Sequence, residues 1–292
     1  MLCACIDIGT NTTRVLVAEA GAGGVREVLQ QREFTRIGRD LRADGAIPPD
    51  RIGEIAAVVA GQLAAARRAG ARSVAVVATA AIRSARNRDD LLDALRTTCG
   101  VEARVLDGHE EARLAFLGAT RTLPEPARGA VAVVDVGGGS TEIAIGTARG
   151  GVAWSRSLPV GSGSLSDHHR VADPVTDAEL AAMRAEAEAA VAALSPPPAD
   201  LALAVGGSAA SLRRLVGPML GPEATANALA ALQSGTAATV AAAWDIDAER
   251  VRLLPAGILV LGAASRRLGR PLQLGCGGLR EGVLIELAEA GA

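Results

Sequence analysis

The run VVDVGGGSTEIAIG, residues 133–146, sets an acid, three consecutive glycines, two hydroxyls and a second acid side by side. Glycine is costly to order and weakens strands, so three together imply that something approaches the backbone closely. The amides of Gly137, Gly138 and Gly139, with the hydroxyls of Ser140 and Thr141, suit a phosphate. The carboxylates of Asp135 and Glu142 suit a hard cation beside it. The alternative is a tight hairpin carrying a solvated glutamate.

The same pattern occurs near the start of the chain. Residues 5–18 read CIDIGTNTTRVLVA, which aligns Asp7 with Asp135, Gly9 with Gly137, Thr12 with Ser140 and Thr13 with Thr141. Each copy alternates as a hairpin whose turn holds the glycine and the hydroxyls. The first turn thus offers Gly9, Thr10, Asn11 and Thr12 to a phosphate, with Arg14 beside them. Asp7 shares the cation-holding task. A third strand is expected in each copy, near 25–34 and 152–158.

Two further echoes follow in the same order. SVAVVATAAIRSARN (73–87) and LALAVGGSAASLRRL (201–215) both run from an apolar strand through small residues into an Arg-bearing helix. These contribute Arg83, whose guanidinium fork suits phosphate, and Gly207 and Ser208 as a further phosphate contact. GHEEARL (108–114) and GLREGVL (278–284) both open helices, and this alignment sets Glu111 against Glu281. Long helices are expected over 48–68, 89–99, 177–194 and 255–268.

The expected architecture is therefore α/β, with two duplicated halves facing a central cleft. The halves are 1–124 and 125–292, with a boundary in TLPEPARG and the helix 279–290 packing back at the interface. Two turns across one cleft make a two-sided phosphate clamp.

Composition narrows the function. The 292 residues are 49% hydrophobic and 21% charged, with a net charge of −2, which fits a soluble globular protein without the basic footprint of a nucleic-acid binder. All 30 basic residues are arginine, so a P-loop and Schiff-base chemistry are excluded. Cys3, Cys5, Cys99 and Cys276 form no CxxC pair, which indicates a reducing compartment and no zinc site. The N-terminus lacks a secretory signal, and the apolar run 253–264 is too short to span a bilayer. A cytoplasmic protein is expected, with no membrane partner. His168 and His169 read as a solvated loop. The pairs Arg67–Arg68, Arg213–Arg214 and Arg266–Arg267, with the 86–88 cluster, read as solvated faces or a polyanion track.

At DIGTNTTRVLV (7–17), ATAAIRSARN (78–87), GHEEARLAFLGA (108–119), VVDVGGGSTE (133–142), AVGGSAASL (204–212) and GGLREGVL (277–284), the chain resembles the exopolyphosphatase and guanosine pentaphosphate phosphohydrolase family. The resemblance covers nearly the whole chain. It implies ribonuclease H-like domains of the actin, sugar kinase and Hsp70 ATPase fold. It also implies hydrolysis of a terminal phosphoanhydride, a requirement for Mg²⁺ (or Mn²⁺), a homodimer, and a catalytic base at Glu111. Glu110 and Glu111 point about 100° apart on a helix, and both the family register and the echo with Glu281 select Glu111. Glu110 is accounted for by the helix dipole. Arg83 aligns with the family's phosphate-facing arginine. Inorganic polyphosphate is the expected substrate, with guanosine pentaphosphate as the alternative; an ATP-binding kinase or a phosphate sensor of the same fold is a weaker one. The chain departs from the family at Asp107 and at LGCGGLREG, and it lacks the further C-terminal domains of longer relatives.

Overall fold

A computed structural model describes residues 1–21, 24–41 and 45–291. Alternating apolar positions make the opening hairpin, β1 (Leu2–Ile8) and β2 (Thr13–Gly21), antiparallel with Asp7 opposite Arg14. The chain continues through β3 (Gly24–Glu33), α1 (Ile37–Asp40), α2 (Pro49–Arg68), β4 (Ser73–Ala78), α3 (Ala80–Ser84), α4 (Arg88–Cys99), β5 (Ala103–Val105) and α5 (Gly108–Arg121). Proline in the first turn of α2 and left-handed glycines Gly70 and Gly100 after α2 and α4 supply the start and stop signals.

The second half repeats the plan: β6 (Ala130–Val136), β7 (Thr141–Thr147), β8 (Gly151–Leu158), α6 (Ser162–His169), α7 (Asp177–Ala192), β9 (Leu201–Val205) and α8 (Gly206–Val216). Then come β10 (Met219–Leu220), α9 (Pro222–Gln233), α10 (Ala237–Trp244), α11 (Ala248–Leu268), β11 (Leu272–Leu274) and α12 (Leu279–Ala290). The sheets are ordered β3-β2-β1-β4-β5 and β10-β11-β9-β6-β7-β8. In each, a three-stranded antiparallel meander is extended by two parallel strands, which bears out the duplication; β10 adds an antiparallel edge to the second sheet.

The two remaining sheet faces are covered by exchange. Helix α12 lays Val283 and Leu284 on Cys3, Cys5, Leu16 and Val77 of the first sheet. Helix α5 lays Ala112, Ala115, Phe116 and Ala119 on Val131, Val133, Ala144 and Leu203 of the second. The helices cross backbone to backbone: a Cβ on Gly118 would stand 1.9 Å from the Gly278 carbonyl oxygen, and one on Gly282 would stand 2.0 Å from that of Leu114.

Two local expectations are corrected. Helix α11 begins at Ala248 with Asp247 as its cap and carries Pro255 inside it. Burial of the run from Leu254 to Ala264 outweighs the ~3 kcal/mol that an interior proline costs. His168 and His169 form the last turn of α6, where both rings face the Glu186 carboxylate, at 3.2 and 2.6 Å. Among the described residues, no helix is long and apolar enough to cross a membrane.

Candidate active site

Each hairpin closes with one short bond. Gly9 N–H donates to the Thr12 carbonyl and Gly137 N–H to that of Ser140, both at 3.0 Å. Among the described residues, the next amides, those of Thr10, Asn11, Gly138 and Gly139, have no protein acceptor. The two turns also touch. A Cβ on Gly138 would lie 2.8 Å from Asn11 Nδ2, and one on Gly139 would lie 2.6 Å from Thr10 Oγ1. The glycine triplet therefore admits the opposing turn as well as leaving amides bare.

A cleft of about 660 Å³ opens over these turns. Its wall includes residues 9–12, Arg14, residues 137–140, Gly207, and the four carboxylates Asp7, Glu111, Asp135 and Glu142. Three other expected site residues stand behind the wall. Thr141 is fully buried and donates its hydroxyl to the Val160 carbonyl at 2.6 Å. Ser208 is buried against Gly257, and among the described residues its hydroxyl has no partner. Arg83 ion-pairs with Glu111 and donates to the Leu106 carbonyl at 2.7 Å.

Helix α5 explains which glutamate faces the cleft. Asp107 caps it by accepting from the amides of His109 and Glu110, and Glu110 returns a bond from its carboxylate to the Asp107 amide at 3.1 Å. Glu110 is thereby held at the helix end. Glu111, one step round, points inward with only 7% of its side chain exposed. The echo with Glu281 does not carry this choice: Glu281 accepts from the Gly278 amide at 2.8 Å, so it holds the capping position of Glu110.

Burial drives the electrostatics. Desolvation, then the charge of Glu142, raises the Glu111 pKa well above the usual carboxylate range, although Arg83 opposes this. Glu142 is raised by burial against hydrogen bonds from Ser157, at 2.7 Å, and Ser140. Asp135 is pushed up to about 7 by burial, Glu142 and Asp7. Asp7 is raised by burial, and its Oδ1 is buried without a hydrogen-bond partner. Gly206 is the residue that makes room for Asp135: it sits at φ +87°, and a Cβ there would be 2.4 Å from Asp135 Oδ1.

Among the described residues, no three His, Cys, Asp or Glu side chains converge enough to hold an ion alone. Magnesium asks for less, commonly one or two carboxylates completed by waters and phosphate oxygens. The orphaned Asp7 oxygen and the crowded charge of Asp135 and Glu142 fit such an ion.

The cleft also pairs the expected Arg14 with an arginine that the motifs do not include, Arg250. Arg14 from β2 and Arg250 from α11 both approach Gly207: a Cβ there would lie 2.8 Å from Arg14 Nη2 and 2.7 Å from Arg250 Nη1. Neither belongs to an ion pair among the described residues. Arg14 is lowered to about 10 by burial and by Arg280; Arg250 is lowered to about 9 by burial and by Arg14. Half-buried Arg14, which donates to the Thr12 hydroxyl at 3.0 Å, and buried Arg250, two mutually repelling cations beside the first turn of α8, suit an anion. Arg280 adds a third cation on the wall, with one buried guanidinium nitrogen left unpartnered. Arg280, inside GLREGVL, has a signal in the sequence, a cation in a helix first turn where the dipole disfavours it; Arg250 has none, because the expected helix 255–268 leaves it outside.

The family model of the Ppx/GppA phosphatase family matches residues 16–290. Exopolyphosphatase 1 of Mycobacterium tuberculosis (strain ATCC 25618 / H37Rv) is 31% identical over 305 aligned residues, covering 98% of this chain and 88% of that protein. Exopolyphosphatase 2 of the same strain is 35% identical over 192 residues, covering 62% of this chain and 59% of that protein. The crystal structure of the Aquifex aeolicus member of the Ppx/GppA family matches with a TM-score of 0.83 at 26% identity, covering all of this chain and 98% of that one. An exopolyphosphatase structure from Cytophaga hutchinsonii shares the fold, with a TM-score of 0.86 at 18% identity. A match over this span, joined to a duplicated α/β fold with the two glycine turns and the buried Glu111 in one cleft, makes the chain a member of the Ppx/GppA phosphatase family.

Proposed function

We propose that the protein removes the terminal phosphate of inorganic polyphosphate in a Mg²⁺- or Mn²⁺-dependent reaction. The observation that carries this reading is the Glu111 carboxylate, buried at the wall of a cleft that also carries the bare turn amides, Arg14 and Arg250. The similarity to proteins named exopolyphosphatase supports it.

The amides of the two turns hold the terminal phosphate, and Arg14 and Arg250 hold the phosphates behind it. Glu111 orients a water and accepts its proton as the water oxygen bonds to phosphorus and the bridging P–O bond breaks. The Arg83 ion pair favours the carboxylate form that accepts the proton, against burial and the charge of Glu142, and fixes its rotamer. Asp7, Asp135 and Glu142 would hold a cation with water and phosphate oxygens completing its shell, and that ion would supply charge neutralisation on the phosphate. Guanosine pentaphosphate is the weaker substrate in this reading, because no aromatic side chain of the described residues lines the cleft to stack a base.

The test is orthophosphate release from tripolyphosphate, longer polyphosphate, guanosine pentaphosphate and ATP, with and without EDTA. Polyphosphate is expected to give the highest kcat/KM, and chelation is expected to abolish release. A preference for either nucleotide overturns the substrate assignment, and full activity in EDTA overturns the metal assignment.

A further inference from the structure

Three arginines at the end of β3 and on α1 reach across to acids of the second half. Arg32 Nη2 lies 3.7 Å from Asp247 Oδ2, Arg36 Nη2 lies 3.1 Å from Glu249 Oε2, and Arg39 Nε lies 3.5 Å from Asp167 Oδ1. The segment that carries them is bonded to the first phosphate turn. Arg36 N–H donates to the Asn11 carbonyl and Gly38 N–H to that of Thr10, both at 2.9 Å. Gly38 sits so close that a Cβ would be 2.4 Å from Thr10 Cγ2. Arg36 itself holds a left-handed conformation, φ 48° and ψ 34°, which is uncommon for arginine and persists only where the surroundings enforce it.

The acids are placed with equal economy. Asp247 caps α11 and Glu249 lies in its first turn, directly before Arg250. The Arg32 and Arg36 pairs therefore pin the turn from which Arg250 projects toward Arg14 of the other half, while the Arg39 pair ties α1 to α6. Two opposed charges act on the same closure. The Arg14–Arg250 repulsion pushes the halves apart, and the ion pairs draw them together.

We propose that Arg32, Arg36 and Arg39 with Asp247, Glu249 and Asp167 form an electrostatic latch that sets the closed population of the cleft. In closing, the latch positions the first phosphate turn and Arg250 for the substrate. These are positioning residues, because they act through residues 10–11 and Arg250. The pairs are half-exposed, so salt screens them. A substrate phosphate between Arg14 and Arg250 removes the repulsion and completes closure, so loss of the latch appears in KM more than in kcat.

The kinetic form of this inference rests on the polyphosphatase reading; its structural form does not. The test uses Arg36→Gln, Glu249→Gln and the double variant of the full chain. Without ligand, hydrogen exchange is expected to speed up in the peptides covering 10–12 and 36–41 in each single variant, with no further gain in the double. With tripolyphosphate, each single variant is expected to raise KM about threefold with kcat retained. The double is expected to match either single, because both remove the same pair. Raising salt is expected to cost the variants less affinity than the wild type. Additive effects in the double, or unchanged exchange in both singles, overturn the latch. Absence of tripolyphosphate hydrolysis by the wild type defeats the functional reading and leaves the exchange experiment decisive.

Discussion

In the proposed reaction Glu111 has to stay buried and still take up a proton. The cleft reconciles these demands by surrounding it with Arg83 on one side and Glu142 on the other. Glu111→Gln keeps the shape and loses the acceptor, so phosphate release is expected to fall ~10²–10⁴-fold while polyphosphate binding, measured by calorimetry, persists. Near-wild-type turnover removes Glu111 from the role of base. Glu142→Ala is expected to raise the Mg²⁺ concentration needed for half-maximal activity. Arg250 allows a sharper separation of binding from stability. Arg250→Ala is expected to raise KM for tripolyphosphate about tenfold or more, since hydrogen bonds to charged groups contribute ~1.5–3 kcal/mol. The same change relieves repulsion with Arg14, so the melting temperature without ligand is expected to hold or rise. A variant that binds normally yet melts lower would make Arg250 structural. The glycine and carboxylate motifs were legible in the sequence because their residue types are costly anywhere else. Arg250 was not legible, since it belongs to no motif and only the fold brings it against Gly207.

At the level of elements, the crossing of α5 and α12 depends on having no side chain at Gly118. Alanine there favours the helix by up to ~1 kcal/mol, but its Cβ would meet the Gly278 carbonyl at 1.9 Å. Overpacking against backbone typically costs ~1–3 kcal/mol, so Gly118→Ala is expected to lower the urea midpoint. An unchanged or higher midpoint shows that the helices can part freely. Helix α7 offers a pH test away from the cleft. Burial raises the Glu179 carboxyl, but hydrogen bonds from the amides of Ala172, Thr176 and Val171 and from the Thr176 hydroxyl outweigh it and hold its pKa at about 2. A folded pKa below the unfolded one contributes stability above the unfolded value, lost as pH falls toward the folded one. Glu179→Ala is therefore expected to lower stability at pH 7 and to lose less than the wild type between pH 5 and pH 2. Hairpins and helix stops were readable from alternation and glycine. The start of α11 was not, because burial overrides the proline, and the Glu111–Glu281 register was off by one because both helix starts carry a capping glutamate.

On the scale of the whole molecule, five arginines from both halves meet in the cleft. Arg14, Arg32, Arg214, Arg250 and Arg280 line the cleft. Several arginines of the sequence clusters are engaged outside it: Arg266 with Glu188 at 2.8 Å, Arg88 with Asp89 at 3.6 Å, and Arg213 with the Leu274 carbonyl at 3.0 Å. Per mole of chain ends, kcat/KM is thus expected to plateau once a polyphosphate fills the cleft; a steady rise with length would mean a basic track beyond it. The duplicated sheets were visible as sequence echoes, whereas the exchange of α5 and α12 was only glimpsed, since an amphipathic helix does not say which sheet it will cover. That exchange has a consequence for synthesis on the ribosome. The first sheet can form its hairpin and its α2–α4 side early, but the face of Cys3, Cys5, Leu16 and Val77 stays bare until residues 279–290 have been made. Helix α5 meanwhile waits with Phe116 uncovered until β6 to β9 exist. Nascent chains stalled anywhere between these points present two sticky surfaces at once, and protection from a holding chaperone is set by the time taken to translate the second half.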